Sequence, residues 1–319
     1  MPHVLVAGKL HPAGLALLEA TPGMTFTHVE EISEASYQPY LAEADAVLIR
    51  TQPMSAASIA MAPRLQIVSR HGVGYDAVDV AALNARKIPL CIVGDVNSVS
   101  VAEHAMMLIL AGVKRLIRSD SAVRQGQWGW RNALEQGEVA GKTLLIIGYG
   151  RIGRHLARMA AAFDMTVIAH DPWALTHGWP EGAATPVTTL AEGLARADVI
   201  SVNLPKAERP ILGAEELAIT KQGAILINTA RGGIIDETAL AQALTSGQIA
   251  AAALDVFDTE PPNPQNQLLK SKQTILTPHI AGLTQQAAIR MAIAAAQNII
   301  NHFNKNMNQE LIVNKDALK

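Results

Sequence analysis

Short, largely β-branched apolar runs recur along this chain, and between them lie longer stretches in which apolar residues return every third or fourth position. The first pattern reads as buried strand and the second as amphipathic helix. Strands are predicted at Val4–Ala7, Ala46–Ile49, Leu65–Ser69 and Leu90–Val93. A second series is predicted at Thr143–Ile147, Thr166–Ala169, Val199–Asn203, Ala224–Asn228, Ala251–Asp255 and Thr274–Leu276. Helices fall between them, among others at Arg151–Ala162, Thr189–Arg196 and Glu237–Ser246. Strands alternating with helices imply βαβ units and parallel sheets covered on both faces, so the expected fold is α/β with two doubly wound parallel-sheet domains. "SVSVAEHAMMLILAGVKRLIRSD" predicts one long helix from Val99 to Ile117 between the two series, apolar around most of its circumference and therefore buried on several sides. Trp128 and Trp130 follow in a polar loop as packing or interface anchors, and the Ala-rich "LTQQAAIRMAIAAAQNIINHF" predicts a last helix.

Composition narrows the class. A chain of 319 residues, 49% hydrophobic and 17% charged, can bury more than one core. A net charge of −2 offers no electrostatic footprint for nucleic acid or an anionic membrane. The longest apolar stretch, Ala105 to Val113, is too short to span a bilayer, and "MPHVLVAGKL" lacks the pattern of a secretory leader. The single cysteine, Cys91, has no internal partner and reads as a small buried hydrophobe, consistent with a reducing compartment. The expectation is a cytoplasmic protein that binds neither nucleic acid nor membrane.

One motif carries specific chemistry. In "LLIIGYGRIGRHLARMAAAFDMTVIAHDPW" the glycines Gly148, Gly150 and Gly153 match G-x-G-x-x-G, with Arg151 and Ile152 opening the helix that follows. The first glycine permits a tight turn, the second lets backbone approach a pyrophosphate, and the third lets the helix pack close to the sheet. Alone the spacing is weak, because a glycine-rich turn produces it too. Here it follows a strand, opens a helix, and a second strand ends at Asp171, 18 residues after Gly153. That is close to the roughly 20 expected for the acid that binds ribose hydroxyls. A carboxylate there repels the 2′-phosphate of NADP, so NAD is the expected cofactor, although Asp171 could also serve as a helix cap.

Three polar residues stand just after later apolar runs: Arg231 in "NTARGG", Glu260 in "DTEPP" and His279 in "PHIAG". Ligands in open parallel sheets collect beyond the carboxyl ends of the strands, so the three could share a crevice. Each also admits a plainer role as a solvated or satisfied loop residue. Hydride transfer to a 2-oxo acid needs a carboxylate clamp, a proton donor and an acid to orient it.

These segments, with "SVSVAEH" and "HGVGYDAVD" upstream and "ALDVFDTEP" and "TPHIAG" downstream, resemble the D-2-hydroxyacid dehydrogenase family in order and over essentially the whole chain. The resemblance implies a Rossmann-type NAD domain at 99–285 and a flavodoxin-like substrate domain made from 1–98 and 286–319, with the last helix returning to the first domain. It makes Arg231 the carboxylate clamp, His279 the acid/base and Glu260 the holder of its imidazole. Gly72, Val73 and Gly74 would offer N–H groups to the same carboxylate. Asn97, Ser100 and Val101 would help place the nicotinamide, Asp255 would face its carboxamide, and Thr229 would join the cofactor site. A homodimer built on the helix near 99–117 is implied as well. Arg50 resembles an arginine of phosphoglycerate dehydrogenases that meets a distal anion, with a solvated strand end as its plainer role, and His71 is a candidate either for selecting the substrate's tail or for a structural role. The chain departs from the family pattern at "NLPKA", Asn203 to Ala207, where many relatives read "HLPLT". The chain reaches Lys319 without the appended regulatory domain common in serine-pathway phosphoglycerate dehydrogenases, which counts against that reading without removing it, because short members exist; a hydroxypyruvate/glyoxylate reductase is the competing reading. Glu260 with His279 separates the chain from formate dehydrogenases, and Val73 from phosphite dehydrogenases. No acidic or His/Cys cluster suggests a catalytic metal. In a different class, an NAD-sensing interaction protein of the same fold remains the alternative.

Overall fold

A computed structural model describes residues 1–319, which divide into two compact units, 1–97 with 283–319 and 98–282. The first unit carries β1 (His3–Ala7), β2 (Thr25–Val29), β3 (Ala46–Ile49), β4 (Ile67–Arg70) and β5 (Leu90–Cys91) in one sheet of order β2-β1-β3-β4-β5. Every pairing is parallel. Because side chains alternate along a strand, Val4 and Val6 enter one core while Leu5 and Ala7 enter another on the opposite face. The first of these cores is closed by the helices Pro12–Glu19 and Gln285–Phe303. They pack so closely that a Cβ on Gly14 would lie 2.8 Å from the Ala292 carbonyl oxygen. The small residues of the final helix therefore permit its return to the N-terminal sheet.

The second unit carries β6 (Thr143–Ile147), β7 (Thr166–His170), β8 (Thr185–Pro186), β9 (Val199–Val202), β10 (Ala224–Asn228), β11 (Ile249–Leu254) and β12 (Thr274–Leu276). Their order is β12-β11-β10-β9-β6-β7-β8, all parallel. The order reverses between β6 and β9, the switch point at which doubly wound sheets open a crevice beyond their carboxyl ends. The helices Ser98–Val113 and Arg151–Ala162 cover one face, and Leu190–Arg196 with Glu237–Ser246 the other.

Two strands escaped the pattern, and one helix was read too long. β2 is a half-exposed edge strand in which Thr25, Thr27 and His28 dilute the apolar signal, and β8 is two exposed residues. The predicted Val99–Ile117 helix breaks after Val113, because Arg115 turns left-handed (φ 51°) and starts a new helix, Leu116–Arg124. Its guanidinium donates to the Ala250 carbonyl at 3.1 Å, which holds the break in place. No helix is long and apolar enough to cross a membrane.

Candidate functional site

The glycine loop sits at the carboxyl end of β6, beside the switch point. Gly148 has φ 92°, and a Cβ on it would come within 2.6 Å of the Asn203 carbonyl oxygen at the end of β9, so only glycine fits. A Cβ on Gly153 would strike the carbonyl oxygen of Gly148, so this position sets how closely helix and loop approach. Gly150 differs, since a Cβ there would meet nothing. It is the N-cap of the helix Arg151–Ala162 and makes no side-chain capping bond. The first N–H groups of that helix, on Arg151 and Ile152, lie beyond the reach of the intrahelical ladder and receive no side-chain cap, with the positive end of the helix dipole behind them. Two buried polar atoms nearby lack protein partners: Thr229 Oγ1, just past β10, and Asn203 Oδ1, just past β9. An anion-receptive helix start, an open glycine and unpaired polar atoms around the switch point fit a dinucleotide.

Asp171 ends β7 and does more than either simple reading supposed. Its Oδ2 accepts the Tyr149 N–H of the glycine loop at 2.8 Å. Its Oδ1 accepts the N–H groups of Trp173 and Ala174, both at 3.1 Å, capping the helix Pro172–His177. One carboxylate therefore fixes the loop and the cap together, and Oδ2 retains capacity for a further donor.

Arg231, Glu260 and His279 follow β10, β11 and β12, the three neighbouring strands on one side of the switch point. The Arg231 loop is held from below by Asn228, whose side chain accepts from the Ala230 N–H (3.0 Å) and donates to the Arg231 carbonyl (2.9 Å). Gly232 then presses on the chain at Phe257–Asp258 so closely that any Cβ would overlap the Phe257 carbonyl. Asp258 accepts the Gly233 N–H at 2.6 Å, and Glu237 accepts the Asp258 N–H at 2.8 Å. The loops of Arg231 and Glu260 are thereby bound to each other.

Glu260 points its two oxygens at different tasks: Oε1 accepts the Phe257 N–H at 3.1 Å, and Oε2 lies 2.7 Å from His279 Nδ1. Burial pushes its carboxyl up. The His279 hydrogen bond and charge, the Phe257 N–H and the Arg231 charge outweigh that and hold it below the usual glutamate range. An ionised carboxylate only accepts, so Nδ1 of His279 carries the proton of this contact and Nε2 remains to exchange one. The His279 backbone is left-handed (φ 52°), uncommon for this residue type, and its N–H donates to the carbonyls of Asp255 (2.8 Å) and Thr277 (3.1 Å).

Asp255 is fully buried. Its Oδ1 accepts the Thr277 hydroxyl (2.5 Å) and the Ile280 N–H (2.9 Å), and its Oδ2 the Ala281 N–H (2.8 Å). With no surface to offer, it builds the loop that carries His279. Val101 is buried as well, on the helix Ser98–Val113.

In the first unit the candidates gather at the carboxyl ends of β3 and β4. Arg50 closes β3, and Arg70, which the sequence pattern did not single out, closes β4. His71 is an interior residue: it is only 6% exposed, and its Nε2 is buried without a partner. Burial first, then the charges of Arg50 and Arg70, pull its pKa down to about 4, with backbone groups at His71 and Ala288 offsetting part of the effect. The ring is neutral at physiological pH and adds no third positive charge beside the two arginines. The Gly72 N–H donates to the Arg70 carbonyl at 2.9 Å. Val73 and Gly74, both half-buried, follow it.

Residues 106–281 match the model of the D-isomer specific 2-hydroxyacid dehydrogenase, NAD binding domain. That is more than half of the chain. The chain belongs to the D-isomer specific 2-hydroxyacid dehydrogenase family. It is 35% identical over 333 residues to the glyoxylate reductase of Aeropyrum pernix, covering 100% of this chain and 97% of that protein. It is 38% identical over 305 residues to the D-3-phosphoglycerate dehydrogenase of Mycobacterium tuberculosis, covering 94% of this chain and 56% of that one. The chain spans about half the length of the phosphoglycerate dehydrogenases it matches. Among solved structures, the NADPH-dependent glyoxylate/hydroxypyruvate reductase of Sinorhizobium meliloti superimposes with a TM-score of 0.87 at 29% identity, over 99% of this chain and 98% of that one.

Proposed function

We propose that the protein is an NAD-dependent dehydrogenase that reversibly interconverts a small 2-oxo acid and its D-2-hydroxy acid. The observation that carries this reading is the His279–Glu260 contact at 2.7 Å, on loops bound to that of Arg231 and in the same unit as the glycine loop. Bound NADH supplies the hydride. His279 gives a proton from Nε2 to the oxygen of the substrate carbonyl, and Glu260 holds the ring through Nδ1 so that Nε2 faces one direction. Arg231 grips the substrate carboxylate with its planar fork. Arg151 and Ile152 would hold the pyrophosphate of the cofactor with their N–H groups, and Asp171 Oδ2 would accept from its ribose hydroxyls. Thr229 Oγ1 gains a partner from the cofactor. The Asp171 carboxylate favours NAD by repelling a 2′-phosphate.

For the substrate, Arg50 and Arg70 support an anion at the far end, such as the phosphate of 3-phosphoglycerate or of its oxidised form. Both cations close neighbouring strands, and both act on His71. A hydroxypyruvate/glyoxylate reductase is the second reading, supported by the match to a glyoxylate reductase over nearly its whole length. Steady-state reduction of a panel of 2-oxo acids, followed by NADH absorbance, decides between them. A phosphorylated acid preferred over glyoxylate supports the first reading and the reverse order the second. No turnover with any member would leave the NAD-sensing interaction protein.

The reading extends to a homodimer in the cytoplasm. Met107 on the helix Ser98–Val113 is 47% exposed, and Leu116, Ile117 and Val123 on the next helix are 53%, 57% and 59% exposed, apolar side chains that a second copy would cover. Sedimentation velocity should then report twice the chain mass of 33.9 kDa.

A further inference from the structure

Besides Glu260, a side chain from the helix Ser98–Val113 reaches the loop that carries His279. His104, on the helix Ser98–Val113, lies with Nε2 3.1 Å from Thr277 Oγ1 and 3.7 Å from Asp255 Oδ1. The side chain of His104 is 13% exposed and that of Asp255 wholly buried. A threonine hydroxyl has one proton. Thr277 donates it to Asp255 Oδ1, an oxygen that accepts the Ile280 N–H as well. The contact between Thr277 and His104 must then have the imidazole as donor, which places a proton on Nε2 of His104. His104, Thr277 and Asp255 form a directed chain that ends on the N–H groups of Ile280 and Ala281, the two residues after His279.

We infer that His104 is a positioning residue, whose Nε2–H orients the Thr277 hydroxyl onto Asp255 and so holds the loop of His279 in place. The inference rests on the dehydrogenase reading for its kinetic consequence only. His104 touches no reacting group. It sets the position of a loop whose acid/base residue has a left-handed backbone held by the carbonyls of Asp255 and Thr277. Without the donor, the Thr277 hydroxyl is free to leave Asp255, and the buried carboxylate loses one of its three hydrogen bonds. The remaining two are the ones that shape residues 280 and 281. A shift of the order of 1 Å in a catalytic group can cost about 10²-fold in rate.

Three measurements test this. In the wild-type protein without cofactor, ¹⁵N NMR of labelled histidine should show His104 protonated at Nε2; a bare Nε2 would overturn the inference. Hydrogen exchange at the amides of Ile280 and Ala281 should quicken by about tenfold or more in His104→Leu and in Thr277→Val. It should stay near the wild-type rate in His104→Gln, whose amide keeps a donor at similar reach. Kinetically, His104→Leu should lower kcat by about 10- to 100-fold, with NADH affinity unchanged and His104→Gln restoring most of the rate. Equal losses in the leucine and glutamine variants, or unchanged exchange at both amides, would overturn it. If His104→Leu does not fold, the Nε2 proton and the Thr277→Val exchange rates decide. Absence of turnover in the wild type would remove the dehydrogenase reading, and the exchange and ¹⁵N measurements would still decide the role of His104.

Discussion

His279 Nδ1 lies 2.7 Å from Glu260 Oε2, and the other oxygen of Glu260 is tied to the Phe257 N–H. The carboxylate is therefore anchored before it meets the imidazole, and the ring's direction follows from the backbone of its own loop. Burial raises the Glu260 carboxyl, but its contacts to His279, Phe257 and Arg231 leave it lowered. A lowered carboxyl stays charged above the usual glutamate pKa of about 4.3 and protonates only at more acid pH. Activity that needs its charge is complete at neutral pH and is lost as pH falls through the lower value. Glu260→Gln should abolish that acid limb of kcat/KM and slow the reaction at all pH, by less than the roughly 10²–10⁴-fold carried by the acid itself. An unchanged pH profile would remove Glu260 from this role.

Asp171 gives two separable outcomes because its carboxylate has two duties. Asp171→Asn keeps one acceptor oxygen for the helix cap but loses the charge, so NADPH should gain on NADH with little change in melting temperature. Asp171→Ala should change the cofactor ratio similarly and also lose about 0.5–2 kcal/mol of stability from the cap. A wild-type preference for NADPH would reject the assignment.

His71 ties stability to pH. Its folded pKa of about 4 lies below the ordinary 6.5, so the unfolded chain binds more protons between those values. Stability therefore falls as pH drops from about 6.5 to about 4 and levels off below, by on the order of 3 kcal/mol. Urea unfolding across that window should show a gentler slope in His71→Gln than in the wild type. Parallel slopes would mean that other groups set the acid sensitivity.

Arg50 and Arg70 report the far end of the substrate. A charge-assisted hydrogen bond is worth roughly 1.5–3 kcal/mol, so Arg50→Ala should weaken use of a phosphorylated 2-oxo acid by about 10–150-fold. Glyoxylate, which has no tail, should be nearly indifferent. Equal small effects on both would assign Arg50 to the solvated end of β3 and favour the glyoxylate reading.

The strand series was legible because buried parallel strands are continuous apolar runs, and the helix Arg151–Ala162 because its glycine start and its periodicity agree. β2 was not, because an exposed edge strand needs no apolar face. The break at Arg115 was hidden because apolar residues continue across it, while a left-handed arginine leaves no compositional trace. Around the candidate site, spacing pointed to which loops matter but not to which way their side chains turn. Asp255 and His71 both face inward, one onto backbone N–H groups and one into the core of its unit. Arg70 closes its strand as Arg50 does, a parallel visible only once β3 and β4 are known to be neighbours.

The central claim is that His279 delivers the proton. Its most direct test is the single-turnover reduction of the best 2-oxo acid by enzyme preloaded with NADH, comparing wild type with His279→Ala. The account predicts a rate about 10²–10⁴-fold slower in the variant, with NADH bound as tightly as before. An alanine variant that reduces the substrate at the wild-type rate would contradict it.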